Sequence, residues 1–302
     1  MLSVFLQLSR SWWDVPHNAI AILAERMISE EQLDYINDVL ATWNSEKDVF
    51  RDTAVWHDNL KKQGSYMSDW HFRNKPVLEK GFVGPKYVPV GYNVTTVNVD
   101  CLNTIYNKTT SSIWALGFCF RSLIHFVGDA HCPVHAAGFW GENFPTGDAG
   151  ATKQKEVCQY DNYYGSDVCK NLHALWDSGC LNYRSSNNTI EWDIEFDKNM
   201  SVLWEKYPPE KVYGELAGSI DPIQWEIDTY NVSVDYVYGK FGENGTVDDE
   251  YIDAGQIKSN ELISVAGYRL GKVFQHFFET RQDNIPEVGR ITTTGHPSLP
   301  FR

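Results

Sequence analysis

Apolar side chains recur at helical spacing along much of the chain. Between residues 14 and 43 they follow one another every three or four positions, which predicts two amphipathic helices. The second begins at Ser29, because Ser29 and Gln32 form the pattern of a capping box, in which each side chain bonds the other residue's backbone N–H. The segment Ile113 to Ala130 is the most apolar and predicts a helix buried on most sides. Residues 262 to 277 predict a further long amphipathic helix.

Stretches rich in glycine, proline and asparagine separate these helices, notably residues 138–170 and 207–258. No internal repeat and no low-complexity linker divides the chain, and its 302 residues are enough for one large domain. We therefore predict an all-α fold, a single helical domain with long loops. Its predicted bounds are residues 12–280, and a C-terminal tail of residues 281–302 follows.

The beginning of the chain and its sequons predict export. Leu2 to Leu8 is a short apolar run, and small residues follow at Ser9 and Ser11, so residues 1–11 are predicted to be a signal peptide. The run is short, however, and no basic residue precedes it. Six sequons predict N-glycosylation, at Asn93, Asn107, Asn187, Asn199, Asn231 and Asn244. We expect a secreted protein, or one of a lysosome-like compartment, without stable membrane association.

The six cysteines also suit an oxidising compartment. They are even in number and form no CxxC pair, so disulfides are predicted, with about 15 connectivities if all six pair. Cys158 with Cys169 is the favoured local bridge, because the two residues bracket a stretch rich in tyrosine, glycine and aspartate. The alternative for Cys119, inside an apolar helix, is a buried free thiol.

The charge of the chain argues against a surface that coats nucleic acid. Lys and Arg number 26 against 40 Asp and Glu, a formal net charge of −14. Proteins that bind a duplex by neutralising its phosphates are usually basic. If the substrate is a nucleic acid, the positive charge that attracts it must come from something other than side chains.

Histidine and aspartate recur at spacings that suit metal binding. The segment HFVGDAHCPVH places His125 and Asp129 four residues apart, on one face of a helix, and ends at His135. The segment HALWD repeats the spacing with His173 and Asp177. Zinc binds imidazole nitrogen and carboxylate oxygen at about 2 Å, so these residues are candidate ligands. The alternative for each pair alone is an exposed ion pair.

Further candidates lie earlier in the chain. Asp58 stands in AVWHD, His71 in DWHF, and His17 follows Trp12 in WWDVPH. His57 is a weaker candidate, because neighbours on a helix point about 100° apart. The remaining histidines are predicted to be surface or locally hydrogen-bonded residues, namely His131, His276 and His296.

The order and spacing of these motifs resemble those of the zinc-dependent, single-strand-specific class I nucleases of fungi and plants, relatives of bacterial zinc phospholipase C. The resemblance extends from Trp12 to about Phe274 and includes a GYRL motif at residues 267–270. It implies the helical fold of that superfamily and three Zn²⁺ ions per chain. The positive charge of the metals would then attract phosphate to an acidic protein.

The resemblance assigns the ligands of each zinc. The first zinc would be held by Asp58, His71, His125 and Asp129, and the second by His135, His173 and Asp177. The third would be held by His17, by Asp129 as a bridge, and by Trp12 through its amino nitrogen and carbonyl oxygen. The last contact requires Trp12 to be the mature N-terminus, which agrees with cleavage after Ser11.

The implied activity is hydrolysis of single-stranded DNA and RNA to 5′-phosphorylated products, with 3′-nucleotidase activity, by a monomer. Asp58 would also orient the attacking water, and Lys61 would stabilise the transition state, the alternative being a solvated lysine. Phe72 would stack on a nucleobase, with a core phenylalanine as the alternative. Asn74 stands where the family commonly has Asp, and Thr152 stands in a loop that departs from the family's Asp-x-Gly-Gly-Asn, so base preference is left open.

Two other functions are compatible with these residues. A zinc-dependent phospholipase C on the same fold is the nearest rival, but such enzymes usually carry Glu where this chain has Asp177. A secreted protein that binds zinc or a nucleotide without turnover is the second rival.

Overall fold

The computed structural model describes residues 12–43, 50–84, 91–110, 112–155, 157–158, 168–183, 194–241 and 245–288. Several predictions from the sequence therefore lie outside the described residues: the signal peptide at residues 1–11, the sequons at Asn187 and Asn244, and the environment of His296.

The described residues are mostly helical, which confirms the predicted fold class. The α-helices are α1 Asp14–Glu25, α2 Glu30–Ala41, α3 Trp56–Gly64, α4 Val94–Tyr106, α5 Ile113–Ala130, α6 Pro133–Ala136, α7 Leu172–Asp177, α8 Ile194–Lys206, α9 Pro209–Tyr213, α10 Pro222–Val232 and α11 Asp249–Thr280. Shorter 3₁₀ turns are Asp52–Val55, Ser68–His71 and Gly214–Gly218, and α10 continues into a π-helical turn, Ser233–Tyr238.

Helix α5 lies at the centre of the fold. Ser112 caps it by accepting a hydrogen bond from the N–H of Ala115, and nearly every residue from Leu116 to Ala130 is buried. It packs against α1, α2, α4 and α11. By length and composition α5 could cross a membrane, but 78% of it is buried inside the protein. The apolar surface of α5 therefore packs against other helices in the core of the protein.

Helix α1 packs very closely against α5 and α11, and this places the first described residues at the centre of the fold. A Cβ atom at Gly267 of α11 would lie 2.5 Å from the Cβ of Leu23, and one at Gly128 of α5 would lie 2.7 Å from Nδ1 of His17. A side chain at either glycine would push α1 away. The glycines thus let His17 lie directly against α5.

Local signals set the ends of the helices. The capping box predicted at α2 is present, since the N–H of Gln32 donates to the Ser29 hydroxyl and the N–H of Ser29 donates to the Gln32 side chain. Helix α5 ends at Ala130, and Pro133 begins α6 after a two-residue break. The break turns the chain so that it returns across the end of α5.

Two short parallel strands, β1 Lys75–Leu78 and β2 Ala137–Trp140, pair with Lys75 opposite Ala137. Just before the strands, the N–H groups of Arg73 and Asn74 both donate to the carbonyl of His135. This pairing holds the segment that follows His71 against the segment that follows His135.

The described residues contain one disulfide and four free cysteines. Cys158 and Cys169 form the favoured disulfide. The sequence left the pairing of the other cysteines open, and in this structure they are buried free thiols: Cys101, Cys119, Cys132 and Cys180. For Cys119 the alternative of a buried thiol on an apolar helix therefore holds.

Candidate metal centre

The site is built on the last two turns of α5. His125 and Asp129 are fully buried, and their four-residue spacing puts His125 Nε2 3.1 Å from Asp129 Oδ2. Each of the other elements that reach this point brings one or two side chains of the predicted set. The helical spacing alone therefore accounts for the proximity of His125 and Asp129. The packing of other elements against α5 accounts for the proximity of the remaining candidate ligands.

One group of four donor atoms converges on Asp129 Oδ2. His71 Nδ1 lies 2.8 Å from that oxygen, 3.2 Å from His125 Nε2 and 3.6 Å from Asp58 Oδ1. Asp58 Oδ1 lies 3.9 Å from His125 Nε2. Tetrahedral ligands about 2.0 Å from a zinc ion are about 3.3 Å apart. The observed separations scatter around that value, so these four atoms fit one ion.

A second group lies where α6 meets α7. His173 Nε2 is 3.1 Å from Asp177 Oδ2, and His135 Nε2 is 3.8 Å from Asp177 Oδ1. The rings of His135 and His173 are stacked, with centroids 5.3 Å apart. The two oxygens of Asp177 thus face different imidazoles.

The third group uses the other oxygen of Asp129. His17 Nε2 lies 3.3 Å from Asp129 Oδ1, so the carboxylate has one oxygen toward His71 and one toward His17. Trp12 is fully buried directly before α1, and the N–H of Trp13 donates to the carbonyl of Asp177. The start of the described chain is therefore attached to the end of α7.

Backbone carbonyls orient three of the imidazoles. Nδ1 of His125 is 2.7 Å from the carbonyl of Ala54, and Nδ1 of His135 is 2.8 Å from that of His71. His173 Nδ1 likewise meets the carbonyl of Gly150. A neutral imidazole that donates from Nδ1 presents a lone pair at Nε2, as zinc ligands do.

The donor set fits zinc. His17 makes no hydrogen bond through either ring nitrogen, and neither His135 Nε2 nor Asp129 Oδ1 makes one, although all of these atoms are buried. Leaving a buried polar atom unsatisfied costs about 1–3 kcal/mol. Buried nitrogen and oxygen atoms that converge without hydrogen-bond partners are typical of a zinc-binding site.

Burial and neighbouring charges shift the pKa values of the groups around Asp129. Burial lowers the pKa of His17 and, together with repulsion from Lys61, lowers the pKa of His71 to about 4. Burial raises the pKa of Asp129, but His125 and His135 lower it more, and the net value lies well below the usual range. Two neutral imidazoles therefore face an ionised carboxylate. Burial lowers the pKa of the third imidazole, His125, but the carboxylates of Asp129 and Asp58 raise it more.

Lys61 is buried beside Asp58. Its Nζ lies 3.0 Å from Asp58 Oδ1, and its side chain is 5% exposed, whereas the next residue, Lys62, has a side chain that is 37% exposed. Burial raises the pKa of Asp58, but the Lys61 ammonium and nearby imidazoles outweigh it, so the net pKa falls well below the usual range. The alternative of a solvated lysine does not describe Lys61.

The residues predicted to contact a nucleobase lie beside this centre. Phe72 directly follows His71 and is half-buried, and Thr152 is buried with no hydrogen bond from its hydroxyl. Asn74 has a positive φ of 50°, and its Oδ1 would lie 3.1 Å from a Cβ atom at Gly150. Since the carbonyl of Gly150 also accepts from His173, a candidate ligand, the loop at 148–152 is coupled to the second group of donors.

Three further buried residues lie near the centre, outside the predicted ligand set. His57 Nε2 pairs with the hydroxyl of Ser122 at 3.0 Å, apart from the donor groups. His131 is fully buried rather than on the surface, bonded locally to Val127 and also to Arg269 of the GYRL motif. Cys132 joins His135 and Asp177 as a third possible metal donor. Its only sequence signal is its position within HFVGDAHCPVH, between Asp129 and His135.

The fold and these donors define a helical protein with buried groups of His, Asp and Cys side chains that could bind metal. A family model described as S1/P1 Nuclease matches residues 12–279, and the chain belongs to that family of metal-dependent nucleases. Nuclease S1 of Aspergillus oryzae is 23% identical to this chain over 290 residues, which cover 87% of this chain and 91% of the relative. Nucleic acids are therefore its class of substrate.

Proposed function

We propose that the protein hydrolyses single-stranded DNA and RNA to 5′-phosphorylated products, has 3′-nucleotidase activity and uses three Zn²⁺ ions per chain. The observation that carries the proposal is the arrangement around Asp129, whose two oxygens face separate groups of buried imidazoles. The second group, around Asp177, provides the donors for the remaining ion. Trp12 would add its amino nitrogen and carbonyl oxygen to the group that contains His17.

The chemistry divides between the metals and two side chains. When bound, zinc lowers the pKa of water toward 7 and stabilises negative charge on a phosphoryl oxygen. Asp58 remains ionised beside Lys61, so it can accept a hydrogen bond from the attacking water and orient it toward phosphorus. Lys61 places its ammonium next to the same carboxylate, where it can stabilise the charge that develops on the phosphate.

Two features support a preference for unpaired nucleotides. The chain has a net charge of −14, so attraction of phosphate is confined to the centre and does not extend along a duplex. Phe72 lies one residue after His71 and is partly exposed, and stacking on it requires a base that is not paired. Asn74 and Thr152 would then contact the stacked base at its edge.

Secretion of the chain as a monomer is part of the proposal. The Cys158–Cys169 disulfide is of the kind that forms in oxidising compartments. The sequon asparagines Asn107, Asn199 and Asn231 are exposed, whereas Asn93 is buried and caps α4, which removes it as a glycan site. Cleavage after Ser11 would free the amino group of Trp12 for the third ion.

Metal removal tests the proposed function. The full chain, expressed through a secretory pathway, should release 5′-mononucleotides from single-stranded DNA, lose this activity with a chelator and regain it when zinc is added. Double-stranded DNA and phosphatidylcholine vesicles serve as parallel substrates. Turnover of phosphatidylcholine without release of nucleotides would favour a phospholipase C, and zinc binding without turnover of any substrate would favour a binding protein.

Two neighbouring lysines on α3, one buried and one exposed, allow a specific catalytic role of Lys61 to be distinguished from a general effect of positive charge. We expect Lys61→Gln to lower kcat on single-stranded DNA by about 100- to 1,000-fold, the effect of removing one donor that stabilises a transition state. Lys62→Gln, at an exposed position, should change it by less than about 3-fold, which is within the range of surface substitutions. Bound zinc is measured in both variants. Loss of zinc from Lys61→Gln in proportion to activity would instead mean that Lys61 only holds Asp58.

A further inference from the structure

Cys132 lies within the second group of metal donors. It stands between α5 and α6, is fully buried, and its Sγ is 3.6 Å from Asp177 Oδ1. Its sulfur, a ring nitrogen of His135 and a carboxylate oxygen of Asp177 all lie within 4.8 Å of one another. We propose that Cys132 Sγ is a ligand of the zinc ion held by His135, His173 and Asp177.

The separations suit a thiolate in a tetrahedral site. Zinc–sulfur bonds of about 2.3 Å and zinc–oxygen bonds of about 2.0 Å place sulfur and oxygen about 3.5 Å apart at a tetrahedral angle. The measured distance from Cys132 Sγ to Asp177 Oδ1 agrees with this value. On the other side of the carboxylate, Oδ2 faces His173 Nε2 at 3.1 Å. The sulfur of Cys132 and the imidazole of His135 therefore lie next to Oδ1, whereas the imidazole of His173 lies next to Oδ2.

A second donor atom without a hydrogen bond lies beside Cys132. His135 Nε2 is buried without a hydrogen bond, which leaves a second donor atom open toward the same space. When zinc binds, the Zn–S bond replaces the S–H bond and the thiol proton passes to solvent.

The alternative is that Cys132 only orients Asp177 by donating its S–H to Oδ1. The two roles differ in whether sulfur contacts the metal. They also differ in what a serine does at this position, because a hydroxyl can still donate to Asp177 but is a far weaker zinc ligand. Metal spectroscopy of the loaded protein therefore distinguishes the two roles without reference to activity.

The experiment is X-ray absorption at the zinc edge of the zinc-loaded full chain, together with near-ultraviolet absorption after cobalt replaces zinc. We expect one sulfur scatterer at about 2.3 Å from zinc and a sulfur-to-cobalt charge-transfer band. Both signals should vanish in Cys132→Ser and persist in Cys180→Ser, which changes another buried free thiol. Cys132→Ser should also release one metal ion to a chelator at least about 10-fold faster.

The inference rests on the zinc binding proposed above, and the outcomes keep the two apart. A wild-type protein that binds no zinc would overturn the proposed function itself. A wild-type protein that binds zinc with only nitrogen and oxygen scatterers would overturn the role of Cys132 alone. The wild-type spectrum decides this point even if Cys132→Ser does not fold.

Discussion

Replacing Asp129 with asparagine is expected to abolish most of the activity and to remove more than one metal ion. The amide keeps the shape of the side chain but loses the negative charge that faces His17 on one side and His71 on the other. Changes to outer partners of metal ligands already cost roughly 10- to 100-fold. We therefore expect kcat on single-stranded DNA to fall by more than about 100-fold. Zinc per chain and kcat are measured on the same preparation.

Asp253→Asn is the matched control for this variant. Asp253 is exposed on α11, so the same chemical change there should leave zinc content and kcat unaltered. Circular dichroism checks that Asp129→Asn keeps its helical content. A fully zinc-loaded Asp129→Asn protein with activity near that of the wild type would rule out a bridging role for this carboxylate.

Replacing Arg269 with methionine is expected to cost about 3–5 kcal/mol of unfolding free energy, the loss typical of breaking a buried ion pair. The guanidinium is fully buried and bonds the Asp228 carboxylate, while Nη1 lies 3.0 Å from His131 Nε2. It also donates to the carbonyls of Leu216 and Ala217. The variant leaves a buried carboxylate without its cation. Urea denaturation of the zinc-free protein measures the change.

Lys272→Met is the control on the same helix. Lys272 is half-buried, with its ammonium 5.3 Å from the ring centre of Tyr268, so its loss should cost less than about 0.5 kcal/mol. Removing the carboxylate as well, in Arg269→Met with Asp228→Leu, should recover part of the lost stability. A cost below about 1 kcal/mol for Arg269→Met alone would show that this pair does not hold α10 against α11.

Residues far apart in the sequence reach the centre in different ways. The four-residue spacings in HFVGDAHCPVH and HALWD predict shared helix faces, and the structure has both pairs within 3.1 Å. Asp58 and His71 carry no such spacing, and only the resemblance to a family assigned them to the same ion. The structure brings them together because the segment that contains them packs across α5.

Arg269 illustrates what the sequence pattern does not contain. As part of GYRL on an amphipathic helix it is compatible with an exposed position, yet it is fully buried and bonds a histidine 138 residues away. The sequence likewise predicted His131 to be a surface or locally bonded residue, because its partner Arg269 lies far away along the chain. Burial of a charged side chain depends on partners from other elements, and local periodicity carries no information about those partners.

The sequence by itself determined the helices, because apolar periodicity, a capping box and a proline act on neighbours within a few residues. It also determined which histidines and aspartates share a helix face. The tertiary structure decided that four cysteines are free thiols, that His131 is buried, and that Cys132 lies beside Asp177, 45 residues further along the chain. These outcomes depend on how closely separate helices approach, which packing across the whole core determines.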